Sequence, residues 1–153
     1  MFKTLAVSTF AAATFGLAAP AFAGECPANQ MRAGATKPVT TAAKGVTDKV
    51  LSQIDLAGER LALNGHLMRV RKLEIQPGGI VPWHSHEDRP ALIYVVTGEI
   101  YEYASNCAVP ILHREGEVRT ETQGTAHWWE NKGAKTVILH VGDVLHDKDD
   151  HNM

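Results

Sequence analysis

Two histidines separated by one residue are the strongest chemical feature of this sequence. They stand in the segment Trp83-His84-Ser85-His86. Because side chains alternate between the two faces of a β-strand, His84 and His86 would point to the same side, about 7 Å apart along the strand. Imidazole nitrogens are common ligands of divalent transition metals. The pair therefore indicates part of a metal site, with two surface histidines or a hydrogen-bonded buried histidine as the alternative.

Glycines, a third histidine and an asparagine surround this pair at defined distances. The complete set is Gly78, His84, His86 and Gly98, followed by Gly116, Gly124, His127 and Asn131. In this order and spacing the residues resemble the two sequence motifs of the cupin family. Agreement at all of these positions makes a coincidence very rare. The resemblance extends directly over residues 78–131.

The cupin resemblance implies a fold and a ligand set. The fold is an all-β double-stranded β-helix, or jelly-roll barrel, with a metal held near one mouth. By this resemblance the metal ligands are His84, His86 and His127. Ala91 occupies the position of the family's glutamate ligand, and Thr122 replaces the proline of the second motif. We therefore expect three neutral imidazoles around one divalent ion, Fe, Mn, Ni, Cu or Zn, with further coordination positions open.

Acidic side chains next to the histidine pair are candidates for the missing carboxylate. Asp88 has the same strand phase as His84 and His86, and Glu87 is adjacent. Pro90 indicates that the chain is already turning at this point. We therefore expect Asp88 to act as a gate or to contact a ligand, rather than to bind the metal itself.

Other residues near the motifs are candidates for the pocket wall. Ala91 would widen the cavity, Tyr94 would offer a hydroxyl group to a substrate, and Trp129 would lie near the pocket mouth, with core packing as the alternative. The remaining histidines of the barrel region fit no ligand spacing and are expected to be exposed or hydrogen-bonded structural residues. They are His66, His113 and His140.

Open coordination positions favour catalysis. Metal sites with three protein ligands are typically catalytic, whereas structural zinc sites usually have four. The first hypothesis is therefore a metal-dependent enzyme, dioxygenase-like or a lyase or isomerase, that acts on a small organic molecule. The second is a non-catalytic cupin that binds a metal or a small ligand for storage or sensing. A structural cupin that forms a dimer without metal is the third.

The elements that must position these residues are predicted to be short strands. Turn signals separate apolar runs along the second half of the chain, which is typical of an all-β sandwich or barrel. Strands are predicted at 67–75, 81–86, 91–96, 99–103, 111–114, 127–131 and 136–141. Before them, Val46, Val50, Leu51 and Ile54 recur at helical spacing and predict one short helix that ends at Gly58.

The first 23 residues have the pattern of a secretory signal peptide. Lys3 precedes an Ala-rich apolar run, and Ala21-Phe22-Ala23 matches a cleavage site. A retained membrane anchor is the alternative. We expect export, most simply to a bacterial periplasm. In an oxidising compartment Cys26 and Cys107 are expected to form a disulfide, with two free thiols or an intermolecular bridge as alternatives.

Composition limits the organisation and the partners. The 153 residues suffice for one domain, predicted as an N-terminal extension at 24–60, a barrel at 61–145 and a polar tail at 146–153. Fifteen Lys and Arg oppose seventeen Asp and Glu, for a net charge of −2, with no basic cluster. This charge pattern argues against nucleic acid as a partner. We expect a small-molecule ligand, no membrane contact after signal removal, and, by analogy with cupins, a possible homodimer.

Overall fold

The structure is a computed structural model that describes residues 24–37 and 42–146. These residues contain eight β-strands and two single turns of 3₁₀-helix. The strands are β1 Lys44–Asp55, β2 His66–Ser85, β3 Ala91–Thr97, β4 Glu99–Ala104, β5 Ile111–Arg114, β6 Val118–Glu121, β7 Ala126–Glu130 and β8 Val137–His146. The 3₁₀ turns are Ala28–Gln30 and Leu56–Gly58. The predicted signal peptide and residues 147–153 of the predicted tail lie outside the described residues.

The strands form one antiparallel sheet that curls into a nearly closed barrel. Its order is β5-β4-β7-β2-β8-β3-β6, and β1 pairs with β2 beside this path. Strands that are neighbours in space are therefore mostly distant in sequence, as in a jelly roll. The all-β prediction and the double-stranded β-helix are confirmed. Within the described ranges, no helix is long and apolar enough to cross a bilayer.

The long strand β2 lies at the centre of the sheet, between the strands β5-β4-β7 and the strands β8-β3-β6. Its first half pairs with β8 from His66 to Ile75, and its second half pairs with β7 from Ile80 to Ser85. Alternate side chains of the strands point inward and form the main core. This core contains Leu73, Ile75, Val81, Ala91, Ile93, Val95, Ile100, Trp129, Val137, Leu139 and Val141. Burying each large apolar side chain contributes about 1.5–3 kcal/mol, so the inward phase of the strands is strongly selected.

The short helix predicted from residues 46–54 is wrong, because this segment is strand β1. Val46, Val50 and Ile54 are four residues apart, a spacing that fits one face of a strand as well as one face of a helix. Of the twelve residues in β1, all but Val46 are exposed. The strand is held by backbone pairing with β2, and a register shift lies between Val50 and Ser52. β-Branched residues favour the extended conformation here.

Strand β2 also continues through a segment that was predicted to be a turn. Pro77, Gly78 and Gly79 separate the predicted strands 67–75 and 81–86, but the structure has one strand across them. A Cβ atom on Gly79 would lie 2.7 Å from the Gln76 carbonyl oxygen and 3.0 Å from that of Gly45. The glycine therefore permits close approach of two backbones rather than a chain reversal. Strand β6 is absent from the predicted strands, since it is only four residues long and three of its residues are polar.

The N-terminal segment is fastened to the barrel by a disulfide between Cys26 and Cys107. The predicted pairing is confirmed. Backbone bonds extend the attachment, because Arg32 N–H donates to Asn106 O and Ala35 N–H donates to Ser105 O, both at 2.9 Å. Residues 26–36 thus lie against the turn that follows β4.

Candidate metal centre

Three histidine side chains converge inside the barrel. His84 on β2 and His127 on β7 are direct cross-strand partners, and His86 follows on the same face as His84. The three Nε2 atoms are 3.1 Å apart in every pair. The exposed fraction is 8% for His84, 2% for His86 and 0% for His127. The structure therefore brings together the three residues that the sequence motifs select, as a group able to hold a metal ion.

A β-bulge places His84 on the inner face. The register between β2 and β7 shifts by one residue between Val81 and His84. As a result Val81 and His84 are both buried although they are three residues apart. The bulge contains Pro82, a residue whose missing N–H is tolerated at such positions. Its carbonyl oxygen then contacts the ring of His84.

Hydrogen bonds at the opposite ring nitrogens orient all three imidazoles. The Nδ1 atoms of His84 and His86 lie 2.9 Å and 2.8 Å from the carbonyl oxygens of Pro82 and Arg89. Nδ1 of His127 lies 2.8 Å from Oε1 of Glu102. Because these oxygens only accept, each Nδ1 donates its proton, and each Nε2 carries a lone pair that points to the shared centre.

The charge state and spacing of the triad fit a divalent transition metal. Burial, with the charge of His127, lowers the pKa of His86 to about 4, and the pKa of His84 is lowered well below its usual value for the same reasons. Both imidazoles are therefore neutral near pH 7, the form that binds metals. Two nitrogens bound at about 2.1 Å and at a right angle would be about 3.0 Å apart, close to the observed separation.

A buried carboxylate that is not part of the sequence motifs orients His127 by accepting a hydrogen bond from its ring. Glu102 on β4 is 0% exposed and accepts hydrogen bonds from His127 Nδ1 and from His113 Nε2, both at 2.8 Å. Arg119 Nε lies 3.2 Å from Glu102 Oε2. Burial alone would raise the pKa of Glu102, but hydrogen bonds from both histidines hold it well below its usual range. Glu102 is therefore an anion that binds two imidazoles.

Carboxylates also flank the position where the family has its glutamate ligand. Ala91 is buried, and its cross-strand neighbours are Glu121 on β6 and Asp143 on β8. Glu121 Oε1 accepts a hydrogen bond from Arg119 Nε at 3.0 Å and lies 3.4 Å from His127 Nδ1. Burial raises the pKa of Glu121 to about 7, opposed by the nearby His127. The acidic groups of this region thus come from strands β4, β6 and β8 rather than from position 91.

A small cavity adjoins the triad. Its volume is about 20 Å³, room for roughly one or two water-sized groups. Its wall contains His84, His86 and Arg71 together with the apolar residues Leu73, Val81, Ile93, Trp129, Leu139 and Val141. Trp129 is 1% exposed, and its Nε1 lies 3.3 Å from both ring nitrogens of His127. Trp129 therefore belongs both to the main core and to the wall of this cavity.

Other predicted pocket residues lie elsewhere. Asp88 is exposed in the loop between β2 and β3, and the neighbouring Glu87 binds the Gln123 side chain and the backbone N–H of Gly124. Tyr94 is 42% exposed on the outer face of β3, because it has the opposite phase to Ile93. Neither Asp88 nor Tyr94 therefore lines the cavity beside the triad. Ala91 is buried but does not line the cavity beside the triad.

The remaining histidines have separate places. His113 is buried, stacks on the Trp129 ring at 4.6 Å and binds Glu102. His66 stacks on His146 at 4.4 Å near the start of β2, and His140 is half-buried on β8. Glu102 and His113 could have been noticed in the sequence, because both stand at the inward phase of their strands between apolar residues.

Comparisons with known proteins agree with this architecture. The family model described as "Cupin domain" matches residues 71–142. The chain matches no curated protein. Among solved structures, the Cnp3 cupin domain of Schizosaccharomyces pombe has a TM-score of 0.53 at 13% identity, over 68% of this chain and 66% of that one. The chain thus spans slightly less than two thirds of that domain.

Two bacterial structures are similar at the same level. KdgF from Halomonas sp. has a TM-score of 0.51 at 14% identity and is covered over 83% of its length by 69% of this chain. The Cupin_2 domain of an XRE family transcriptional regulator from Enterobacter cloacae has a TM-score of 0.50 at 12% identity, over 65% of this chain and 96% of that one. These likenesses concern the fold. Residues 71–142 are thus similar to a cupin domain, and the fold of the described residues is similar to that of solved cupin structures.

Proposed function

We propose that this chain is an exported, metal-dependent cupin enzyme that acts on a small organic substrate at the triad His84, His86 and His127. The observation that carries the proposal is the convergence of three Nε2 atoms at 3.1 Å beside a small cavity. Three protein ligands leave coordination positions free for a substrate. The metal is one of Fe, Mn, Ni, Cu and Zn, since imidazole accepts each of them.

The residues of the chain have defined tasks in this proposal. When bound, the metal supplies Lewis-acid or redox chemistry to a molecule in the cavity. The carbonyls of Pro82 and Arg89 and the carboxylate of Glu102 keep the imidazoles oriented. Apolar residues such as Ile93 and Trp129 limit the access of water. Besides the two histidines and Arg71 the cavity wall is apolar, which favours dioxygenase-like chemistry over reactions that need a separate protein base.

Export to the periplasm is supported by two features of the chain. Residues 1–23 have the charge, apolar run and cleavage pattern of a signal peptide. The disulfide between Cys26 and Cys107 is a type of bond that persists in oxidising compartments. The first residue after the proposed cleavage would be Gly24, close to Cys26.

Elemental analysis of the natively exported protein tests the metal assignment. We expect close to one divalent transition metal per chain, and its loss in the variants His84→Ala and His127→Ala while the barrel stays folded, as judged by circular dichroism. Tyr94→Phe, on the outer face of β3, is the matched control and should retain the metal. Less than a tenth of an equivalent in the wild type, with none regained on loading, would contradict the proposal.

A non-catalytic binding protein is the second candidate, because Ala91 stands where the cupin motif has its glutamate ligand and the loss of that carboxylate fits a lost activity. Oxygen consumption and turnover over a panel of small thiols, diols and acids, with Fe, Mn, Ni and Zn loaded in turn, separate the two. Turnover that disappears in His127→Ala supports the enzyme. Full metal occupancy without turnover on any member of the panel supports storage or sensing.

A further inference from the structure

One outer face of the sheet carries a cluster of exposed apolar side chains. Five strands in the order β1-β2-β8-β3-β6 form this face, and its residues alternate along the strands with those that point into the barrel. Isolated exposed apolar residues are ordinary on a protein surface, whereas clustering on one face marks a contact surface. Of the eleven large apolar side chains exposed among residues 24–37 and 42–146, six lie on this face and are named here the outer apolar patch: Ile54, Met68, Val70, Leu92, Tyr94 and Val118.

The register of the strands makes the outer apolar patch continuous. Side chains on one face that are two residues apart along a strand lie about 7 Å from each other, and directly opposed residues of neighbouring strands lie closer still. The members of the patch occupy three adjacent rows across the sheet, which are Ile54–Met68–Val144, Val70–Gly142–Leu92–Thr120 and His140–Tyr94–Val118.

A groove crosses the outer apolar patch at Gly142. This glycine is paired with Val70 on one side and with Leu92 on the other, and no atom lies within 4 Å of the Cβ that a side chain would have there. The groove has a volume of about 320 Å³. Leu92 projects beside it and is 56% exposed. The face therefore carries an apolar protrusion next to an apolar groove, an arrangement that can fit a second copy of itself.

The charged residues in the groove wall do not turn their charges outward. Glu121 and Asp143 belong to the wall, but their side chains are 0% exposed. Arg69 binds the Asp143 carboxylate with Nε and Nη2 at 2.7 Å and 3.0 Å. The groove therefore offers little charge to a polar or charged ligand.

The charged side chains of the whole face lie at one end of it. They are Lys49, Lys72 and Glu74, and Lys72 Nζ lies 2.6 Å from Glu74 Oε1. A surface without an excess of charge gives no attraction to nucleic acid or to an anionic membrane. Homodimer interfaces are more apolar than those between transient partners, and two-fold symmetry requires a surface that fits itself. The composition of this face thus favours a second copy of the chain.

The face is also large enough for a dimer. At about 3.3 Å per residue and about 4.8 Å between strands, each strand residue covers about 16 Å² of a sheet. The five segments of this face are four to twelve residues long and therefore cover about 700 Å² per copy. This area is close to the roughly 800 Å² that each partner buries in a stable interface of standard size.

We propose that the outer apolar patch is the interface of a symmetric homodimer, in which Leu92 of each copy fills the groove beside Gly142 of the other. The interface lies on the outside of the barrel, and no residue lines both this groove and the cavity beside the histidine triad. The dimer therefore leaves the metal centre free and does not depend on a bound metal.

Sedimentation equilibrium of the full exported protein measures the dissociation constant of the dimer. We expect a value below about 10 µM for the wild type. Leu92→Lys places a charge against the apolar groove of the other copy and should weaken the dimer at least about 100-fold. Gly142→Val fills the groove and should weaken it at least about 10-fold, while the free space at the added Cβ keeps the single copy unstrained.

Leu61→Lys is the matched control, because it makes the same exchange at a leucine that is 70% exposed and lies outside the patch. Its dissociation constant should stay within about 3-fold of the wild type. Circular dichroism and thermal unfolding check that each variant is folded. If one of the two patch variants is unfolded, the other carries the comparison.

The outcomes decide the proposal. Loss of the dimer in the patch variants, with its retention in Leu61→Lys, would support it. A wild type that stays monomeric up to about 100 µM would overturn it, whether another partner or further residues of the chain cover the patch. A dimer that is unchanged in Leu92→Lys and Gly142→Val, or that is weakened equally by Leu61→Lys, would place the interface elsewhere and overturn it as well.

Discussion

At the scale of single residues, the centre depends on hydrogen bonds made on the far side of each imidazole. Two of the acceptors are backbone carbonyls and follow directly from the local chain path at Pro82 and Arg89. The third is the side chain of Glu102, which also binds His113. A carboxylate that accepts the second N–H of a ligand fixes its tautomer and raises its basicity.

The substitution Glu102→Gln tests this role. Glutamine has one carbonyl oxygen and an NH₂ group, so it cannot accept both the His127 and the His113 protons. We expect Zn²⁺ affinity to fall roughly 10- to 100-fold, measured by competition with a chromophoric chelator on protein that circular dichroism shows to be folded.

A matched control is available for the loss of a carboxylate charge. Glu87→Gln removes an exposed carboxylate near the other two ligands, and its Zn²⁺ affinity should stay within about 2-fold of the wild type. Wild-type affinity in Glu102→Gln would show that Glu102 does not position His127.

At the scale of elements, strand β2 contributes to the site and runs along much of the barrel. It supplies Arg71, His84 and the bulge at Pro82, and it pairs with β1, β8 and β7 along its length. The residues around Gly79 must pass close to the backbone of β1 for this pairing to continue. The strand's continuity therefore depends on a residue without a side chain.

Gly79→Ala tests the close approach. The new Cβ would lie 2.7 Å from Gln76 O and 2.8 Å from Ile75 Cγ2, so neighbouring atoms must shift. We expect the free energy of unfolding to fall by about 1–3 kcal/mol in urea denaturation. Gly58→Ala is the control, because no atom lies within 4 Å of its added Cβ, and it should change stability by less than about 0.5 kcal/mol. Equal stability of the two variants would contradict the packing described here.

The same strand shows what could be predicted and what could not. His84 and His86 were predicted to share a face, because a strand period of two requires it. The helix predicted at 46–54 failed because spacing by four satisfies both periods, and only the pairing of β1 with β2 decides between them. The break predicted at Pro77-Gly78-Gly79 failed for a related reason, since a close approach of strands and a turn both select glycine.

At the scale of the whole molecule, a disulfide bond fastens the N-terminal segment to the barrel. Cys26 and Cys107 are 81 residues apart in sequence. The attached segment lies close to the buried pair of His113 and Glu102, because a Cβ on Gly24 would lie 3.0 Å from His113 Nδ1. Since His113 binds Glu102, the segment lies next to the residues that support the metal ligand.

Removing the disulfide should be costly. In the chain-entropy model a closed loop of this length contributes about 4–5 kcal/mol, and measured losses are typically about 2–5 kcal/mol. We expect the double variant Cys26→Ser and Cys107→Ser to lose stability in this range, by denaturant titration. A reductant should lower the stability of the wild type and leave the variant unchanged; equal stability of oxidised wild type and variant would contradict the prediction.

The amino-acid sequence by itself indicated an all-β chain through its turn spacing, and the barrel and the three histidines through its resemblance to the cupin motifs. The cysteine pair was predicted from the expectation of export. Only the tertiary structure decided which charged residues meet the histidines. Glu102, Glu121 and Arg71 come from strands β4, β6 and β2, and their spacing to the histidines carries no local signal. Their contacts arise because the sheet curls and brings distant strands together, where burial favours a partner for each charge.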